Sequence, residues 1–321
     1  MESLIKYASF FEQEVAKYKF RATPINLYDP LRYFLGLGGK RVRPLLTLLA
    51  SELFGTPKEN VVHAALAIEF FHNFSLIHDD IMDEAPLRRG KVTVHEKWNT
   101  NGAILSGDVL LVNAYQQLAL SQREYLKEVL EIFNQVAVEV CEGQQLDMDF
   151  ETMELDEVSM EKYIEMIRLK TSVLLGGALK IGAVLAGSDK KNAQLIYDFG
   201  ENLGVSFQIQ DDILDLYGDP EKFGKQIGGD IISNKKTFLI LSAVNRGKKN
   251  EIESILSIQD KKLKVAEASK AFQEWGVLKE VKIIKQNYFQ KAMNSLNEIQ
   301  ADEDRKLILR ELANQLIDRE F

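Results

Sequence analysis

Two short runs, Asp79-Asp80-Ile81-Met82-Asp83 and Asp211-Asp212-Ile213-Leu214-Asp215, stand in long Pro-free apolar stretches and share one pattern of carboxylates. The four-residue spacing puts the outer pair of each run on one helix face, one turn apart. Unpaired negatives so placed repel, and either solvent or a cation between them relieves the repulsion. Hard carboxylate oxygens suit magnesium, which takes one or two carboxylates and completes its shell with water and substrate phosphates. A solvated acidic face accounts for any single cluster of this kind; two copies on core-like helices are harder to explain that way. After the first run Pro86 is expected to end the helix, and Arg88-Arg89-Gly90 follows with two guanidiniums, the group best shaped for bidentate phosphate binding. An acid pair followed by a basic pair is the layout of a metal-bridged diphosphate site.

The rest of the chain favours helices. It has only 6 Pro and 20 Gly in 321 residues, and its apolar residues recur at helical spacing in 3–18, 43–53, 60–84, 102–120, 125–147, 157–186, 190–217, 235–246, 262–273, 277–297 and 301–318. Stops fall at Gly55 with Pro57, Pro86, Gly187-Ser188, Gly218 with Pro220, and Gly247. No sustained period-two alternation appears, so no sheet is expected. No linker or low-complexity tract divides the chain, and 1–321 reads as a single all-α domain of about ten core helices around a central apolar cavity. The stretches 60–77 and 172–186 are apolar over most of their circumference, which places them at the centre of the bundle. A net charge of -8 and a pI near 5.3 exclude a general nucleic-acid-binding field. One cysteine, Cys141, rules out an internal disulfide and suits a reducing compartment. With no signal-peptide core and no run of spanning length, the expected location is the cytoplasm.

Gly38-Gly39-Lys40-Arg41-Val42-Arg43-Pro44 adds a third motif: a glycine pair frees the backbone, Pro44 opens a helix, and cations surround the turn. Basic turns are usually just solvated. Together with the two Asp runs, however, this segment resembles the trans-isoprenyl diphosphate synthases, the polyprenyl synthetase family that includes farnesyl and geranylgeranyl diphosphate synthases. The resemblance covers about residues 30 to 240 and thins at both ends.

That resemblance implies a magnesium-dependent prenyltransferase joining isopentenyl diphosphate to allylic diphosphates in a homodimer of the isoprenoid synthase type I fold. By the same resemblance, Asp79, Asp83 and Asp211 hold three magnesium ions across a cavity mouth, with Asp215 supporting through water. Arg88 joins the metals on the allylic diphosphate, while Lys40, Arg43, His72 and Arg89 hold isopentenyl diphosphate. Lys170-Thr171, Gln208, Lys225 and Lys235 match further family positions that hold diphosphate or stabilise the cation. Ionisation leaves a carbocation and a highly charged leaving group, which pre-placed cations stabilise electrostatically. The double bond of isopentenyl diphosphate attacks that cation, and the departing diphosphate takes the final proton. No protein nucleophile is required.

Product length is read from the helix before Asp79. Counting back by turns gives Ser75 and then Phe71, flanked by Phe74. A turn rises about 5.4 Å, close to one prenyl unit. Fifteen-carbon synthases of the family commonly carry a bulky aromatic at the position of Ser75, or two residues inserted in the first Asp run. Here Ser75 lets the tail pass, and Phe74 and Phe71 stop it, so the expected product is geranylgeranyl diphosphate; the alternatives are farnesyl or longer chains.

Several residues have plainer readings. Asp80 and Asp212 point roughly 100° from their neighbours and are treated as secondary. Cys141 reads as a small core residue, His78 as orienting a neighbouring carboxylate, and Gln144, Gln145 and Asp147 as either cavity-facing or a polar helix face. His63 and His95 stay unassigned, and Lys180 reads as a solvated end. Gln226 and Val92 replace prolines common in relatives, and Arg319 is the one cation of the last residues. A terpene cyclase would need neither Asp211-Asp212-Ile213-Leu214-Asp215 nor Gly38-Gly39-Lys40-Arg41. A regulatory subunit without activity, the alternative of another class, usually loses the Asp runs that this chain keeps.

Overall fold

The computed structural model describes residues 2–218 and 227–317, so Lys225, Gln226 and Arg319 lie outside the described residues. The helices in chain order are α1 (Glu2–Lys17), α2 (Ile25–Gly36), α3 (Val42–Leu53), α4 (Val62–Met82), α5 (Val94–Lys97), α6 (Thr100–Leu118), α7 (Leu126–Thr152) and α8 (Met160–Ile167). They continue as α9 (Val173–Leu185), α10 (Lys190–Tyr217), α11 (Gly229–Ile232), α12 (Phe238–Asn245), α13 (Lys249–Leu256), α14 (Lys261–Glu274), α15 (Val277–Glu298) and α16 (Glu303–Ile317). Helices dominate as the sparse breakers require, and the described residues form an all-α fold as expected. Side-chain caps start several of them: Asn99 accepts from Gly102 N–H, Ser159 from Lys162 N–H and Asp260 from Leu263 N–H, each contributing ~1 kcal/mol.

Two compact units emerge. The first comprises Met1–Gln135, Gly177–Ile196 and Gln300–Leu309. Its core is α4, whose residues Ala64 to Phe71 are all buried, and a Cβ at Gly182 would lie 2.2 Å from Thr47 O, so only glycine fits there. The second unit comprises Val136–Gly176, Tyr197–Ile299 and Arg310–Phe321. Its core gathers Phe150, Tyr163, Ile209, Ile213, Phe238 and Phe272.

Two expectations change. The stretch 157–186 is not one helix: a π-helical turn, Arg168–Ser172, separates α8 from α9. A small ladder also exists: β1 (Leu87–Arg88) pairs antiparallel with β2 (Lys91–Val92), Leu87 opposite Val92 and Arg88 opposite Lys91. Two-residue strands are too short to show alternation in the sequence.

Candidate active site

In the first unit α4 ends at Met82, before Pro86 can act. Glu84 takes φ 48°, its N–H donates to Ile81 O at 3.2 Å, and Ala85 N–H donates to Asp80 O at 3.0 Å. That double closure is a Schellman turn, built here without glycine. It leaves Asp83 exposed as the C-cap, with Asp79 one turn back and half-buried. The hairpin follows. Arg89 (φ 54°) and Gly90 (φ 71°) form its two-residue turn, with both φ positive as in a type I′ turn. Placing Arg89 in the left-handed region costs ~1–2 kcal/mol.

Asp80 is buried, and its Oδ1 accepts from Arg88 Nε at 2.8 Å and Nη2 at 2.5 Å; Nη2 also lies 3.4 Å from Asp79 Oδ2. Burial raises the Asp80 pKa, and Arg88 works against that rise. Asp80 is therefore not secondary. It extends the buried stripe Asn73, Ile77, Asp80, and its charge fixes Arg88 beside Asp79.

The Gly38-Gly39 turn and the hairpin meet through an arginine. A Cβ on Gly39 would stand 2.8 Å from Arg89 Cζ, so glycine lets the guanidinium lie against this backbone. Three residues of the turn, Gly38, Gly39 and Arg41, have positive φ. Helix α3 begins at Val42, with Pro44 in its first turn rather than at its first position. Arg43 Nη1 lies 3.2 Å from His72 Nε2. Burial, and then repulsion from Arg43, Arg89, Arg88 and Arg41, holds the His72 pKa well below its usual value. His72 is thus a neutral acceptor for the Arg43 guanidinium. Burial also lowers Arg43, to about 10, and Arg89. Cations pressed together at the cost of their own charge form a site that binds an anion. Arg43, His72 and Arg89 come together as expected, while Lys40 stands exposed at the rim of the turn.

Beneath them Arg41, buried and overlooked in the sequence, pairs with Glu69 at 2.6 Å and Glu12 at 2.8 Å. Glu69 also accepts from Asn73. The aromatic row is real: Phe71 is fully buried, 5.7 Å from Phe74 by ring centroids and 5.3 Å from Phe133, which stacks on Tyr115 at 5.2 Å. Phe133 and Tyr115 could not be assigned from the sequence. Ser75 donates to His72 O at 2.8 Å. The carboxylate near His78 belongs to Asp108, 3.8 Å away on α6.

In the second unit the π turn carries Lys170 and Thr171. A Cβ at Gly143 would lie 2.2 Å from Lys170 N, and one at Gly204 would lie 2.6 Å from Ser172 Cα, so two glycines hold the turn between α7 and α10. Lys170 Nζ pairs with Asp147 at 2.6 Å, which gives Asp147 a role beyond a polar face. Gln145 bonds Asp149 at 2.7 Å on the exposed side instead. Thr171 Oγ1 lies 3.4 Å from Gln208 Oε1, and Gln208 Nε2 lies 3.4 Å from Asp212 Oδ1. Asp212 is buried and accepts from Tyr163 OH at 2.6 Å and Phe238 N–H at 3.0 Å. Burial, then Asp230, pushes its pKa up to about 7. Like Asp80 it is an anchor rather than a bystander. It continues the buried stripe Val205, Ile209, Asp212, Leu216, a signal the sequence does contain. Asp215 accepts from Asp230 N–H at 3.1 Å, and Asp211 is half-buried. Cys141 is exposed rather than in the core.

Among the described residues no three His, Cys, Asp or Glu side chains gather as a ready-made metal cage. A magnesium that draws most of its ligands from water and substrate phosphates needs no such cage, and four-spaced carboxylates at a helix end fit it. No helix among the described residues is long and apolar enough to cross a membrane.

Comparison with known proteins agrees with this geometry. Residues 24–275 match the polyprenyl synthetase family model. A geranylgeranyl diphosphate synthase of Methanosarcina mazei is 38% identical over 301 residues, covering 93% of this chain and 91% of the relative. A geranylfarnesyl diphosphate synthase of Natronomonas pharaonis is 34% identical, covering 93% and 91%. Among solved structures, a geranylgeranyl pyrophosphate synthase superposes with TM-score 0.94 at 42% identity over 100% of both chains. A polyprenyl synthase of Caulobacter crescentus CB15, complexed with calcium and isoprenyl diphosphate, gives 0.83 at 29%, covering 100% and 96%. The chain belongs to the polyprenyl synthetase family. It is a prenyltransferase, an isoprenyl diphosphate synthase.

Proposed function

We propose that this enzyme elongates allylic diphosphates with isopentenyl diphosphate to geranylgeranyl diphosphate, in the cytoplasm and as a homodimer. The observation that carries the reading is the cluster of Arg43, His72 and Arg89, whose depressed basicities mark a site for a second, non-ionising diphosphate. Lys40 extends that site at its rim. By the family resemblance Asp79, Asp83, Asp211 and Asp215 would hold magnesium, three ions in all. When bound, the metal neutralises charge that builds on the leaving diphosphate.

The chain's own groups do the rest. Arg88, fixed by Asp80, offers its guanidinium to the allylic diphosphate. Lys170, Thr171, Gln208, Lys225 and Lys235 supply donors to the leaving group and dipoles to the allylic cation. His72, neutral, lets Arg43 direct its charge at isopentenyl diphosphate. The stacked Phe74, Phe71 and Phe133 close the path of the growing tail beyond Ser75, which supports a twenty-carbon product. Leu105 and Val112, 57% and 56% exposed on α6, support the dimer. The unbroken family match supports one catalytic domain, and the exposed thiol of Cys141 suits a reducing compartment.

The test is incubation with labelled isopentenyl diphosphate, magnesium and five-, ten- or fifteen-carbon allylic diphosphates, followed by sizing of the dephosphorylated products. Twenty-carbon alcohol is expected from each primer. No elongation with any primer would overturn the activity, and elongation only with an added second subunit would make the chain a regulatory partner. Product of fifteen carbons, or beyond twenty-five, would overturn the aromatic floor alone.

A further inference from the structure

Lys264 is a lysine in the middle of no motif, yet it is 4% exposed. Burying an ammonium costs free energy unless the group is well bonded, and desolvation indeed lowers its pKa. From α14 its Nζ donates to Asn234 Oδ1 and lies 3.4 Å from Ile232 O. Asn234 is one of four non-glycine residues with positive φ among the described residues, at 58°. The residue after it is Lys235.

The other side of Lys235 is held as well. Lys236 Nζ donates to Phe150 O at 2.6 Å, one of the open carbonyls at the C-terminal end of α7. The main chain is pinned in both directions: Lys235 N–H donates to Asp230 O at 2.9 Å, Asp230 N–H to Asp215, and Phe238 N–H to Asp212. A Cβ at Gly228 would stand 2.5 Å from a methyl of Val265, next to Lys264, so this segment and α14 are in direct contact.

We propose that Lys264 is a positioning residue: by holding Asn234 in its left-handed conformation, with Lys236 gripping the end of α7, it fixes the turn that aims Lys235 at the allylic diphosphate. This rests on the assignment of Lys235 as a diphosphate-binding residue. Lys264 touches no substrate, and it acts only through the turn. Two cations are thus spent on scaffolding so that a third can be presented with its backbone fixed.

Three variants and two combinations test this. Lys264→Met should lower kcat/KM for the allylic diphosphate by about tenfold to a hundredfold, the cost of misplacing one group by up to an ångström, with the KM for isopentenyl diphosphate within about twofold of wild type. Asn234→Gly, which keeps a left-handed turn comfortable but removes the acceptor, should reproduce the shift with a melting temperature close to wild type. It also carries the test if Lys264→Met does not fold. In the Lys235→Ala background, Lys264→Met and Asn234→Gly should each cost nothing further. Additional loss there, alongside an impaired Lys235→Ala, would overturn the positioning role and leave the Lys235 assignment intact. If Lys235→Ala itself leaves kcat/KM unchanged, the assignment fails and the proposal falls with it.

Discussion

The two Asp runs share a pattern but not an electrostatic solution. In each, the middle carboxylate is buried and anchors a downstream segment that carries cations: Asp80 holds the Arg88-Arg89 hairpin, and Asp212 holds the start of α12, just after Lys235 and Lys236. Asp80 is answered by a guanidinium. Asp212 is answered by a phenol and a main-chain N–H, beside Asp230, and its pKa rises to about 7. The outer carboxylates repeat, as the proposed magnesium binding asks of them. The inner ones diverge because each needs only some donor, charged or neutral, on its own downstream segment.

Exchanging the inner carboxylates probes the difference most strongly. Asp80→Asn takes from Arg88 its nearest charged partner and leaves it Asp79 at 3.4 Å; breaking the buried pair should cost about 3 kcal/mol in urea unfolding, with a large loss of kcat. Asp212→Asn keeps an oxygen for both donors and should cost ~1 kcal/mol or less. Equal costs would erase the distinction between a charged and a neutral anchor.

Glycine contacts sharpen the comparison next. A Cβ at Gly143 meets the backbone of Lys170 at 2.2 Å, whereas one at Gly107 meets the His78 ring at 2.3 Å. A ring can swing aside and a packed main chain cannot. Gly143→Ala should therefore cost ~2 kcal/mol or more and reduce kcat, while Gly107→Ala costs under ~1 kcal/mol. A Gly107 variant as damaging as the Gly143 variant would show that the His78 ring yields no more readily than a packed main chain.

Truncating the floor should alter product and not rate. Phe71→Ala and Phe74→Ala should shift product beyond twenty carbons by roughly one prenyl unit for each turn opened, with turnover within about threefold of wild type. Unchanged product length in both variants would move the floor elsewhere.

The smallest effect is the pH dependence that His72 contributes in the first unit. His72 titrates below the unfolded value of about 6.5. The unfolded chain therefore takes up this proton first on acidification. The stability contributed is fully present above about pH 6.5 and is lost as pH falls through and below it. Denaturant melts from pH 8 to 5 should show a shallower acid limb for His72→Gln than for wild type. Parallel limbs would mean that His72 is not held neutral.

Much of this was legible in the residues. Four-spaced carboxylates, clustered guanidiniums and eleven long apolar periodicities named the family and the all-α fold, and α10 was delimited to the residue. What escaped detection was whatever periodicity cannot register. The Arg88 hairpin is too short to alternate, and α2 and α13 are too weakly patterned to stand out. The Schellman turn at Glu84 uses no glycine and so gave no stop. Asp80 and Asp212 read as secondary because they point about 100° away from the outer carboxylates, yet on that other face each completes a buried stripe. Lys264 and Lys236 look like any surface lysines until their partners are known.

The π turn at Arg168–Ser172 has a consequence for how this site can be lost. A π turn holds one residue more than the α-helical turn it replaces. Deleting a single residue there would let α8 and α9 fuse into one regular helix, with better hydrogen-bond geometry than the native chain has. The flanking helices would keep their register while the residues inside the turn repacked into α positions, and Lys170 and Thr171 would lose their bearing on Asp147 and Gln208. The proposed roles of Lys170 and Thr171 thus depend on an irregularity that helix propensity alone would remove, so the shortest route from such a site to an inert helical scaffold is one codon.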